Sequence, residues 1–226
     1  MSVWLPGSRL SQIVMQHPGC LPVLQRFGIR LGVGDMTVAE ACGSLGIDAR
    51  FFLAVLNTYL NDDFHPSDAL WEESTVPLTE YLEKTDTWYE QVQLPNIRRH
   101  FAPLVASGRD TGNLSLLGRF FEGLKSELTG RIESDRRLLF PALRGEGAGL
   151  GEEEAARLLD VDFAIEEKVS DLESFFVIHL TGDYDANLCM AVVSAIFALG
   201  RDLRQNNRIR QRILRPLTRK TLGSCR

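Results

Sequence analysis

Two distant segments share one layout. Residues 131–141 read RIESDRRLLFP and residues 206–216 read NNRIRQRILRP. Each sets two polar residues four places apart, Arg131 with Asp135 and Asn206 with Arg210. Each then ends at a proline, Pro141 or Pro216. Residues four apart share a helix face. Acidic and basic side chains on one face can ion-pair, hold a cation or carry a proton, and the choice depends on whether that face looks inward.

The elements around these pairs read as helical almost throughout. No window sustains the alternation of a strand between turn signals. Residues 1–60 form a small helical domain, residues 61–76 a polar linker that includes Pro66, and residues 77–222 a set of four long amphipathic helices. Their expected spans are 77–106, 112–143, 152–179 and 186–221, joined by short loops. The expected fold class is all-α, an up-down-up-down four-helix bundle behind a small helical domain. In the small domain, Thr37 with Glu40 three places on has the form of a capping box, and Asp48 is placed to cap the helix ARFFLAVLNTYL.

In each long helix the apolar stripe is interrupted by polar residues. Helix two carries Leu117, Phe120, Phe121, Leu124, Leu128, Leu138 and Leu139 at helical spacing, and the gap in that series falls on Arg131 and Asp135. Helix four carries Ile196, Leu199, Leu203, Ile213, Leu214 and Leu217, and its gap holds Asn206 and Arg210. Helix one runs Leu78, Leu82, Tyr89, Val92 with Asp86 on the same face. Helix three runs Leu158, Val161, Ile165, Val169, Leu172, Phe176 with Asp162 beside Val161. The plain alternative is that these six reach solvent at the stripe's edge. If they point inward, three acids, two arginines and one amide nearly neutralise one another, as burial demands.

The frame of these helices resembles the hemerythrin-like, or HHE cation-binding, domain. LLFP at 138–141 and ILRP at 213–216 match the endings that come after that family's His-x3-Glu segments. LPNIRR at 94–99 and IEEKVSDL at 165–172 resemble its first and third helices. FGIRLGVGDMTVAEACGSLGID resembles the small domain of the di-iron proteins of iron–sulfur cluster repair (the RIC type), without the adjacent cysteines usual in that turn. The resemblance implies metal ligands at Asp86, Arg131, Asp135, Asp162, Asn206 and Arg210, yet none of these is histidine. Iron centres of this kind take imidazole and carboxylate donors, and arginine has no lone pair to give. The expectation is therefore a metal site exchanged for an ion-pair network, with no cofactor and no catalysis; the alternative is a di-iron protein of iron–sulfur repair or of the oxygen and nitric oxide response.

Composition bounds the rest. The chain has 226 residues, 44% hydrophobic residues and a net charge of −5, ordinary for a globular protein. No run approaches the roughly 18 apolar residues of a spanning helix, and MSVWLPGSRL has no hydrophobic signal core. A cytoplasmic location without membrane attachment is expected. Cys20, Cys42, Cys189 and Cys225 are widely spaced and read as free thiols. His17, His65, His100 and His179 stand alone. TVAEACGSLGIDARFFLAVL has a helix-turn-helix outline, but its second helix offers only Arg50 and Asn57 to DNA. Residues 201–226 carry nine Lys and Arg against one acid, Asp202. The plainer explanation of that basic helix is a solvated face beside the acidic third helix; a nucleic-acid regulator is the second alternative. The expected partner is a protein, a second copy of the chain included, rather than nucleic acid.

Overall fold

A computed structural model describes residues 3–67, 74–107, 112–146 and 150–223. The helices are α1 (Leu10–Gln16), α2 (Leu21–Arg26), α3 (Val38–Leu45), α4 (Ala49–Leu60), α5 (Thr75–Trp88), α6 (Leu94–Ser107), α7 (Gly112–Ser134), α8 (Phe140–Arg144), α9 (Glu152–Ser174), α10 (Ala186–Ile209) and α11 (Arg215–Gly223). The fold is all-α; among the described residues the only β feature is an isolated bridge between Arg9 and Thr37. Trp71 and Cys225 lie outside the described residues.

The chain divides into two compact units, residues 1–84 with 205–226, and residues 85–204. These divisions fall inside α5 and inside α10. In the first unit the short helices start where local chemistry directs. Thr37 and Glu40 form the reciprocal capping box of α3. Asp48 accepts from the amides of Arg50 and Phe51 at the start of α4. Burial alone would raise the Asp48 pKa, but those amides and the Arg50 guanidinium outweigh it and hold the group below its ordinary value.

Arg208 closes the other end of α4, and Arg212 binds the segment that follows it. The Arg208 guanidinium donates to the carbonyls of Thr58 and Tyr59 at 3.1 and 3.0 Å and pairs with Asp62. Arg212 donates to the Phe64 carbonyl at 2.7 Å. The last carbonyls of a helix have no partner within it and carry the negative end of its dipole. One of the nine basic residues, Arg208, is therefore engaged in a helix end. Arg208→Ala should cost about 1–2 kcal/mol, read as a lower urea midpoint with an unchanged slope; a wild-type midpoint would show that the cap contributes nothing.

In the second unit, α6, α7, α9 and α10 contribute to one apolar core, with Ile97, Phe121, Val169 and Ile196 among its members. Proline should end a helix or break it, yet three helical paths continue past one. The reason is a repeated device. Tyr89–Gln93, Asp135–Leu139 and Arg210–Leu214 are π-turns, each succeeded by one residue and then by Pro95, Pro141 or Pro216. The residue before each proline donates its amide five positions back, from Leu94 to Tyr89, Phe140 to Asp135 and Arg215 to Arg210. The widened turn accommodates a ring that brings no N–H and would crowd the carbonyl four residues earlier. Two cases lie outside this pattern: the π-turn Phe175–His179 precedes no proline, and Pro103 lies inside α6 without one.

Each π-turn adds a residue and rotates the downstream side chains by roughly 100°. This corrects the sequence-based stripe. Val92 and Leu138, expected to face inward, are 40% and 45% exposed; Leu139 is buried as expected, and Leu94 and Phe140 are buried as well. Val161 is also exposed, at 40%, for a different reason. The run LLDVDFAI supports two helix phases, and the one adopted buries Leu159, Asp162 and Ile165.

The path Ala186–Gly223 is long and apolar enough, by length and composition alone, to cross a membrane. Its apolar residues are interspersed with Asn, Ser and Gly, so no continuous run reveals it in the sequence. Val192, Ile196 and Leu199 are buried in the core of the second unit.

Candidate functional site

All six interrupting residues are buried; none is more than 6% exposed. Four of them meet within the second unit. Arg131 on α7 donates from Nη1 to Oδ2 of Asp135, one turn on, at 2.8 Å. The same nitrogen lies 3.0 Å from Oδ1 of Asp86 on α5, and Nε lies 3.9 Å from Oδ1 of Asp162 on α9. One guanidinium thus faces carboxylates from three helical paths. Planar, permanently charged and less strongly hydrated than an ammonium, it suits this task.

The π-turns explain how the pieces arrive there. Asp135 opens its π-turn, and Asp86 lies three residues before another. Arg131 and Asp135 still lie on one face because the widened turn begins only at Asp135. On the outer side Arg136 donates to Glu90 at 2.9 Å. The Glu90 hydrogen bond, aided by the charges of Glu90, Asp86 and Glu133, raises the Arg136 pKa above its usual value.

Asn206 and Arg210 lie in the first unit. Asn206 accepts from the Tyr81 hydroxyl at 3.2 Å, and Tyr81 in turn accepts from Arg26 at 3.4 Å. Arg210 is among the largest fully buried side chains of the protein.

The donor set does not suit a di-iron centre. None of the six residues is histidine, and a guanidinium lies where the carboxylates converge. Among the described residues no group of three or more His, Cys, Asp or Glu is arranged to hold a metal ion. Among the described residues the thiols Cys20, Cys42 and Cys189 are free and buried. Burial pushes Cys20 and Cys42 up to about 11, so little thiolate forms at neutral pH.

The structure also bears on the two nucleic-acid readings. Asn57 is buried and bonds the main chain of Trp4 in both directions, at 2.8 and 3.0 Å, while Arg50 turns back to Asp48. In the basic last helix, Arg208 and Arg212 bind carbonyls, Arg210 is buried and Arg204 grips Glu173 through two bonds of 3.2 and 3.1 Å. Four of the nine basic residues are thus engaged or buried within the protein, while Arg201, Arg219 and Lys220 are exposed.

The Arg204–Glu173 pair is a polar site that the apolar pattern did not signal. Glu173 is buried beside Gly200 on α10, where the two helices approach closely. Gly200, in the middle of an apolar helical run, is the only trace of it in the sequence, because glycine there marks close backbone approach. His100 is half-buried and His179 exposed; the His179 ring packs on Phe175 and its carbonyl accepts from Asn113. Comparison with protein-family models, curated proteins and solved structures finds no match for this chain.

Proposed function

We propose that the chain is a non-enzymatic relative of the hemerythrin-like proteins, an up-down-up-down four-helix bundle whose cation site has been replaced by an arginine, acting in the cytoplasm by protein interaction or signalling. The observation that carries this reading is the single guanidinium of Arg131 against Asp86, Asp135 and Asp162. Carboxylates from separate helices facing a common point are how such bundles hold a cation. Here a covalently tethered cation supplies the charge, and it has no position to offer a substrate or oxygen. Elsewhere in the second unit, the exposed side chains Val177 and Ile178 are apolar surface of the kind a protein partner covers.

Metal analysis and an optical spectrum after aerobic purification test the reading. The expected result is iron far below the chain concentration and no absorption beyond the aromatic band. Iron at di-iron stoichiometry with charge-transfer bands would replace it with the alternative, a di-iron protein of iron–sulfur repair or stress response.

A further inference from the structure

The seam between α6 and α7 holds a cleft of about 540 Å³, within the range of small-ligand sites. Its floor is apolar. Phe101 and Phe121 stack there at 5.6 Å, with Val105 beside them. The cleft exists because both helices present small side chains, Ala102 from α6 with Ser115 and Gly118 from α7. A Cβ at position 118 would meet the Phe101 ring at 3.6 Å, an ordinary contact. Glycine there is not forced by sterics, and its effect is to keep the floor open.

The mouth is positively charged. Arg98 and Arg119 line it, both exposed. The one acid among the lining residues, Glu122, lies 3.7 Å from Arg98 and 3.1 Å from Lys125. Three cations therefore accompany one carboxylate, and Arg119 forms no ion pair among the described residues. A second cleft of about 270 Å³ shares Arg98 and continues the seam past Leu94 and Pro95. The second cleft is lined in addition by Lys125 and by Glu90, whose charge is paired with Arg136, so among the described residues the whole is an elongated trough whose unpaired charge is the cation Arg119.

We propose that this trough binds a small amphipathic carboxylate, its apolar body on the Phe101–Phe121 floor and its carboxylate on Arg119. Each half of the site selects one half of such a ligand. The aromatic floor takes hydrocarbon out of water, and the planar fork of arginine matches a carboxylate through two hydrogen bonds. An uncharged amphiphile lacks the second contact, and a cationic one is repelled. The site is separate from Arg131 and independent of the interaction or signalling role proposed for the bundle.

Titration calorimetry of the full chain with monomeric decanoate, decanol and decyltrimethylammonium tests this. Saturable decanoate binding is expected, with the cationic amphiphile binding far more weakly. Arg119→Gln, at an exposed position, should weaken decanoate about tenfold, the worth of one charge-assisted contact, and leave decanol unchanged. Ala102→Trp should fill the trough and abolish both, with circular dichroism confirming that each variant folds. Absence of decanoate binding, equal binding of the cationic amphiphile, or decanoate affinity unchanged in Arg119→Gln would overturn the proposal. The Arg119 result decides it even if Ala102→Trp does not fold.

Discussion

Replacing Arg131 by methionine is expected to destabilise the protein by about 3–5 kcal/mol, the usual cost of removing one partner from a buried ion pair. Methionine keeps most of the side-chain volume, so the loss reports charge rather than a cavity. Asp86, Asp135 and Asp162 would lose the cation they share, at positions no more than 2% exposed. Adding Asp86→Asn, Asp135→Asn and Asp162→Asn to Arg131→Met should recover part of the loss at pH 7. Urea unfolding measures each case. A loss below about 1 kcal/mol for Arg131→Met, the size of a surface pair, would mean that the cluster is not the electrostatic centre of the second unit.

Gly200 is expected to resist every larger side chain. Two effects oppose each other at this position. Alanine in a helix interior is favoured over glycine by up to about 1 kcal/mol. Its Cβ, however, would lie 2.7 Å from Cγ1 of Val169 and closer still to Oε1 of Glu173. Val169 is fully buried and β-branched, with one strongly preferred rotamer in a helix, so it cannot turn aside. Glu173 can move, but only by giving up the two bonds from Arg204. Overpacking of this kind costs about 1–3 kcal/mol, so the steric effect wins. Gly200→Ala should lower the thermal midpoint and Gly200→Leu should lower it further. Val169→Ala in the Gly200→Ala background should return part of the loss, a coupling that a double-mutant cycle measures. If Gly200→Ala were stabilising, as helix propensity alone predicts, the close approach of α9 and α10 would be wrong.

Arg131 and Leu138, seven positions apart, show how far the sequence can be read. Continuing a 3–4 spacing through α7 turns both inward. The continuation holds at Arg131, because the helix is regular to that point, and fails at Leu138, because the π-turn between them adds a residue. The prolines recur visibly in the sequence, but proline alone signals a stop. That the chain instead widens one turn and continues depends on both flanking segments being packed, a property of the assembled core. Asp162 shows the opposite case. Its phase is ambiguous in the sequence, and the charged side chain argues against burying it; a guanidinium on another helix removes that objection.

The amino-acid sequence by itself determined the all-α class, the approximate spans of the helices, the caps at Thr37 and Asp48, and which polar residues interrupt the apolar faces. These depend on interactions within a few residues, so they are written in local spacing. Tertiary structure alone decided that Asp86, Asp135 and Asp162 share one guanidinium. It also decided that Arg208 closes α4 and Arg212 binds the segment after it, and that Gly200 marks a close helix approach. Each of these joins residues far apart in the chain, and the energy of a charge depends on which partner replaces water around it. Local pattern can nominate a charged residue for the interior; only the packed fold supplies the counter-charge that lets it stay there.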